Sequence, residues 1–287
     1  MQQYTSTIED YLKRINIVIE YINNHLNDDM KLETLASVSN FSPYHFHRIM
    51  KAFLGEPIGD YIARTRVEMA ARLLRYSSMP IKSIAYSVGY NTPSSFTKRF
   101  KQHFGIAPLN FRNDLNYNVV KPFDVKNELK INKLRIENRE ATRVVYVRLI
   151  GDYLMHNYYN VWMRLLEFAE KNGCDVTHPD RIAVYHDSPK ITLPKNQVSD
   201  MCLVINKEVD PKGQYGIKNL SGGHYMVYSY CGPAYNLESV YDTIYGKFIP
   251  ESGYELDERP MFQRYMNDPH TTAKEEWVRE IFIPIIK

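Results

Sequence analysis

The sequence predicts a multidomain chain: an all-α domain of two helix-turn-helix units, then an α+β domain of two pseudo-symmetric βαββ units. Three observations carry this. A helical pattern is written twice between Leu32 and Phe111. Runs of β-branched and aromatic residues begin only after about residue 130. A second, longer repeat then runs from Gly151 to Pro269. Repeats at a fixed spacing identify the unit of architecture, so they are read first.

In the first repeat, Leu35-Ala36 and Asn40-Phe41 return 49 residues later as Ile84-Ala85 and Gly89-Tyr90. Phe46, Met50-Lys51, Gly55 and Tyr61 return 50 residues later as Phe96, Phe100-Lys101, Gly105 and Phe111. The extra residue falls where the second helix of each unit begins, at a loop that can absorb it. Leu32, Leu35, Ala36 and Ser39 mark the inner face of a short helix. Asn40 and Gly89 sit at the sharp turns, and both residue types tolerate left-handed backbone. Ser42 or Pro43 opens the longer helix of the first unit. Phe46, Ile49, Met50 and Phe53 form its apolar stripe. Tyr44, His47, Arg48 and Lys51 are left on the opposite face. Ile58 to Tyr76 reads as one continuous spacer helix. Pro80 opens the second unit, with Ile81, Ile84, Ala85 and Val88 inward. Phe96, Phe100 and Phe104 anchor its longer helix. Ser94, Thr97, Lys98 and Lys101 point outward, with Ser95 and Arg99 near the edge. Two such units in register predict a protein that grips double-stranded DNA twice, since Arg and Lys reach guanine edges or phosphates and hydroxyls bond either.

Charge agrees with that division. Residues 1–115 hold 14 basic and 10 acidic residues, against 22 and 23 in the remainder. The polar stretch 114–131 is expected to be a linker, which gives domains at 1–113 and 132–287. No apolar run approaches the roughly 18 residues that span a bilayer, and the first residues lack the basic and apolar regions of a signal peptide. Cys174, Cys202 and Cys231 are odd in number and far apart, which points to a reducing compartment and the cytoplasm as the expected location.

Leu32 to Arg112 resembles the DNA-binding domain of the AraC/XylS family of bacterial transcription regulators. The residues that carry the resemblance are Ile81-x-x-Ile84-Ala85-x-x-x-Gly89-Tyr90, then Phe96-x-x-x-Phe100-Lys101-x-x-Phe104-Gly105-x-x-Pro108 and Phe111-Arg112. It implies seven helices and two recognition helices in successive major grooves. By analogy the base contacts fall on Tyr44, His47 and Arg48, and on Ser94, Thr97 and Lys98. Lys51, Ser95, Arg99 and Lys101 complete the expected DNA-binding set, with RNA polymerase as the candidate protein partner.

In the second half, Gly151 to Gly173 is 22 residues and Gly232 to Gly253 is 21; each is followed 12 residues later by Tyr185 or Tyr265. Each unit reads as strand, glycine turn, helix, strand, strand, with helices near Tyr158–Lys171 and Leu237–Phe248. Two such units leave a groove between them. Tyr153, Trp162, Tyr185, Tyr225, Gln263, Tyr265 and Trp277 are the expected effector-binding residues, because aromatic walls suit flat or cationic apolar molecules. Alternation along Met261–Tyr265 puts Gln263 and Tyr265 on one face.

This half resembles the GyrI-like effector-binding domain of the Rob and BmrR type. The matching pieces are Gly151-Asp152-Tyr153, Arg181-Ile182-Ala183-Val184-Tyr185-x-Asp187-x-Pro189, Ser221-Gly222-Gly223-x-Tyr225, Gly232-Pro233, Pro260-Met261-Phe262-Gln263-x-Tyr265-x-Asn267-Asp268-Pro269 and Ile281-x-Ile283-Pro284. The resemblance implies a small-molecule effector, hydrophobic or aromatic. Members of the family usually carry Glu where this chain has Gln263. A neutral amide cannot act as a general base and offers a cation no counter-charge, so a neutral or differently polar ligand, held by hydrogen bonds and stacking, is expected.

No metal, cofactor or catalytic residue is expected. His45 and His47, two apart on a helix, diverge rather than converge. Ser221-Gly222-Gly223 lacks the Lys-Ser/Thr of a phosphate loop, and no Gly-x-Ser-x-Gly elbow is present. The chain therefore reads as a non-enzymatic regulator. The rival readings are a small-molecule hydrolase or a protein-interaction module joined to a DNA-binding domain.

Overall fold

The structure, a computed structural model, describes residues 2–114 and 131–286. The stretch expected to be a linker lies outside these residues except at its two ends. The chain divides into two compact units, one helical and one built on a sheet.

The helical unit holds α1 (Gln2–Asn24), α2 (Leu32–Val38), α3 (Pro43–Leu54), α4 (Ile58–Tyr76), α5 (Ile81–Ser87), α6 (Pro93–Phe104) and α7 (Pro108–Asn113). The spacer helix α4 has the expected bounds. Ile15, Val18, Ile19 and Ile22 recur at helical spacing along α1, and they bury that face against Leu35, Ala36, Phe46 and Met50 of the first unit. In the second unit Phe100 packs edge-on against Phe96 and Phe111, at centroid distances of 5.5 and 5.3 Å. The two turns are left-handed as expected, with φ 53° at Asn40 and 84° at Gly89. One expectation fails. Phe53, placed on the apolar stripe of α3, is 37% exposed. Its counterpart fifty residues on is the exposed His103, so this position faces outward in both units.

The second unit is a largely antiparallel sheet with helices. Its elements are β1 (Ile131–Arg139), β2 (Thr142–Ile150), α8 (Tyr158–Lys171), β3 (Arg181–Tyr185), β4 (Val198–Val204), β5 (Tyr215–Leu220) and β6 (Gly223–Cys231). After β6 come α9 (Leu237–Thr243), a π-helical turn at Ile244–Phe248, α10 (Ile249–Ser252), β7 (Glu255–Leu256), β8 (Met261–Tyr265) and β9 (Val278–Ile286). The helix expected over Leu237–Phe248 is therefore interrupted. Pro250, two residues after the π-helical turn, has no N–H to donate to the carbonyl one turn before it. The strand order is β1-β6-β9-β8-β3-β4-β2-β5, with β7 beside the end of β9.

The pairing register sorts side chains by face. Val145, Val147, Met201 and Leu203 pack with Val161, Trp162 and Leu165 of α8. Met226, Tyr228, Tyr230, Ile281 and Ile283 pack with Val240 and Ile244. Val144, Tyr146, Ile182, Val184, Tyr225, Val227, Phe262 and Phe282 form a separate core on the opposite face. Cys174, Cys202 and Cys231 form no disulfide with one another.

Candidate functional site

Two sets of side chains are candidates, one in each unit. In the helical unit the second helix of each helix-turn-helix is fixed at its start by a cap. The Ser42 hydroxyl accepts the His45 N–H, and the Thr92 hydroxyl accepts the Ser95 N–H at 3.2 Å. Pro43 and Pro93 follow at the first helical position, where the missing N–H costs nothing. Gly55 and Gly105 close α3 and α6 with φ 74° and 77°.

On α3, His47, Arg48 and Lys51 are exposed; the side chain of Tyr44 lies outside what the structure describes. On α6, Ser94, Lys98 and Lys101 are exposed and Thr97 is half-buried. Two expected readers are engaged within the protein. Ser95 donates to the Thr92 carbonyl at 2.9 Å and accepts from the Thr92 hydroxyl at 2.9 Å. Arg99 donates to Asp60 at the start of α4, 3.2 Å away. These bonds fix the start of α6 and tie it to α4. A further polar network ties α6 to α4: Glu68, 4% exposed, accepts from Arg64 at 3.1 Å and lies 3.4 Å from His103.

In the sheet unit, alternation and register bring one set together on the helix-facing side. Tyr185 of β3, Gln263 and Tyr265 of β8 and Arg279 of β9 share that side. Trp162 of α8 lies edge-on to Tyr265 at 5.8 Å. Trp277 is held by an indole N–H donated to the Thr272 carbonyl at 3.1 Å. Gln263, 1% exposed, donates to the Tyr241 hydroxyl of α9, and its Oε1 has no partner among the described residues. Burial, with the Tyr265, Tyr158 and Tyr241 hydroxyls nearby, holds Tyr185 protonated well above the ordinary phenol range. Burial raises Tyr158 and Tyr241 in the same way. A cluster of neutral hydroxyls and rings thus lies where α8, β3, β8 and α9 meet.

Two expected groove residues stand elsewhere. Tyr153 packs against Tyr185 at 5.1 Å but spends its hydroxyl on the Val198 carbonyl, 2.9 Å away, so it backs the wall. Tyr225 is a correction: it sits on the opposite face, packed on Phe262 and Phe282, with its hydroxyl on the Ser221 carbonyl at 2.8 Å. The parity of one strand does not say which face the helices cover. Tyr158, Tyr241 and Arg279 were missed, because only the fold brings α8, α9 and β9 to one place.

Among the described residues no group of three or more His, Cys, Asp or Glu could hold a metal ion. No helix among them is long and apolar enough to cross a membrane.

Comparison with known proteins accounts for both units. Residues 132–286 match the GyrI-like small molecule binding domain, and residues 35–114 match a helix-turn-helix domain. The chain belongs to the GyrI-like family. It is also an AraC/XylS-type regulator by its helix-turn-helix half. The probable transcription factor PqrA of Proteus vulgaris is 34% identical over 100 residues, which is 34% of this chain and 82% of that protein. The transcriptional regulator Rob of Salmonella typhimurium is 22% identical over 294 residues, 94% of this chain and 97% of that protein. The right origin-binding protein of Escherichia coli is 22% identical over 297 residues, with the same two shares. The chain is a sequence-specific DNA-binding transcriptional regulator with a small-molecule-binding C-terminal domain.

Proposed function

We propose that α3 and α6 read adjacent stretches of one DNA face, and that the aromatic groove takes a hydrophobic or aromatic effector. Tyr44, His47, Arg48 and Lys51 are the proposed contacts of the first unit. Ser94, Thr97, Lys98 and Lys101 are those of the second, with Ser95 and Arg99 positioning the helix. The observation that carries this is the pair of matched turns, left-handed at Asn40 and Gly89, each followed by a capped helix with an outward polar face. Residues 1–113 then form the reading domain and 132–287 the sensing domain. The sheet order supports treating the latter as two βαββ units related by a pseudo-twofold: inward from either end of β6-β9-β8-β3-β4-β2, each unit runs first, third, second strand.

The effector site is Trp162, Tyr185, Gln263, Tyr265 and Trp277, joined by Tyr158, Tyr241 and Arg279. A hydrolytic role has little to work with there, since Gln263 cannot take a proton as a general base. An effector changes DNA occupancy only if it binds two states of the protein with different affinity. Genome-wide occupancy in the source bacterium tests the reading: discrete peaks over promoters support it, and uniform occupancy without peaks contradicts sequence-specific reading.

A further inference from the structure

Arg279 is the group in the proposed effector site whose donors are left unanswered. It lies on the helix-facing side of β9, opposite Tyr230 of β6 and Tyr265 of β8. It is only 2% exposed. Its guanidinium carbon stands 5.5 Å from the centre of the Tyr265 ring and 5.2 Å from that of Trp277. Nε and Nη1 are buried and have no hydrogen-bond partner among the described residues.

Other cations on this half of the sheet unit have acidic partners, although Arg181 Nε also has no hydrogen-bond partner among the described residues. Arg181, on the same side of β3, pairs with Asp268 at 3.1 Å. Lys190 pairs with Asp242 at 2.5 Å and Glu238 at 3.5 Å. At Gln263 the side chain that could have answered Arg279 is a neutral amide, itself with an unpartnered oxygen. Burying a cation without a counter-ion is expensive, and stacking on two rings offsets only part of that cost. Nε and Nη1 lie on different edges of the guanidinium, each edge shared with Nη2, and neither has an acceptor among the described residues. A guanidinium presents parallel donors in a planar fork that fits a carboxylate with two bonds.

We propose that the groove binds a flat or apolar carboxylate, with the acid group on Arg279 and the body between the rings of Tyr265, Trp277, Trp162 and Tyr185. The Gln263 amide makes a second polar contact. This assignment rests on the groove being the effector site and names the charge of what enters it.

The test is isothermal titration of the full chain with three probes of one shape: 2-naphthoate, 2-naphthamide and (2-naphthylmethyl)trimethylammonium. The carboxylate is expected to bind at least tenfold more tightly than the amide, and the cation most weakly. In Arg279→Met the carboxylate should lose at least tenfold and bind no more tightly than the amide does to the same variant. Because Arg279→Met removes an unpartnered charge and keeps a long apolar chain, its Tm without probe should equal or exceed the parent's. Gln263→Glu, which supplies the missing counter-charge, should erase the preference for the carboxylate. Equal binding of carboxylate and amide by the parent overturns the assignment and leaves the groove standing. A lower Tm in Arg279→Met, with equal loss on every probe, makes the residue structural and also overturns it. Binding of none of the three overturns both this assignment and the groove as effector site.

Discussion

Arg148 and Asp200 face each other directly across β2 and β4, and the guanidinium grips both carboxylate oxygens, Nε to one and Nη2 to the other, each at 2.7 Å. Neither side chain is exposed beyond 2%. Lys218 of β5 and His186, just past β3, approach the same carboxylate at 2.6 and 2.8 Å. One buried anion thus fastens three neighbouring strands and the turn after β3.

Removing that anion leaves Arg148 and Lys218 facing each other without it. Asp200→Asn is expected to cost about 3–5 kcal/mol, the range for breaking a buried pair by deleting one partner. Urea unfolding followed by tryptophan fluorescence measures this. Both tryptophans, Trp162 and Trp277, lie in the sheet unit. A loss below about 1 kcal/mol, the size of an exposed ion pair, would show the cluster to be solvated.

The same cluster makes the sheet unit sensitive to acid in two steps. Burial lowers the His186 imidazole below its ordinary range despite the adjacent Asp200. The unfolded chain therefore binds a proton that the folded one refuses, and stability falls as pH drops through about 6.5. Asp200 is held well below the ordinary carboxylate range by Arg148, Lys218 and His186, against the opposing effect of burial. Its contribution is present above about pH 4 and is lost as pH falls further. His186→Asn should flatten the limb between pH 5 and 7 and leave the lower one. An unchanged upper limb in that variant assigns it to another group.

The turn glycine of the second unit is needed for two reasons. Its φ is 84°, and a Cβ there would stand 2.5 Å from the Leu26 carbonyl and 2.7 Å from Arg66. Gly89→Ala is expected to destabilise the helical unit by at least about 1–2 kcal/mol, the cost of left-handed backbone alone. Asn40 carries its side chain at φ 53°, so Asn40→Gly should shift stability by less than about 1 kcal/mol. Helical ellipticity against temperature measures both. Equal effects of the two substitutions would remove the distinction.

Lys98 and Arg99 are neighbours with different expected roles. Lys98→Ala should weaken cognate DNA binding by about 1–3 kcal/mol and relax preference at one position if it reads a base. Arg99→Ala should act first on stability, by loosening α6 from Asp60. Competition binding on cognate and scrambled duplexes separates them. An equal loss on both duplexes assigns Lys98 to a phosphate.

The helical unit was highly legible because its information is local. Spacing of Leu35, Asn40, Phe46 and Gly55 names a helix, a turn, a helix and a stop without reference to anything distant. The sheet unit was legible in order but less so in placement. β1 and β5 lie at sheet edges, where Leu134 and Ile136 are 51% and 42% exposed, and their mixed polarity gives no strong strand signal. Gln263 and Tyr265 were rightly placed together because parity within one strand is enough for that. Tyr225 was misplaced because assigning its face needs the pairing of β6 with β9. Arg279 carried no mark at all in the sequence, since its meaning comes from the partners it lacks.

The central claim is that one chain reads DNA with two tandem helix-turn-helix units. Hydroxyl-radical footprinting of the full chain on a duplex selected by it from random sequence tests this most directly. Two protected patches on one face are expected, with centres about 10 bp apart, the spacing of successive turns. A single patch, or protection with no selected sequence, contradicts it.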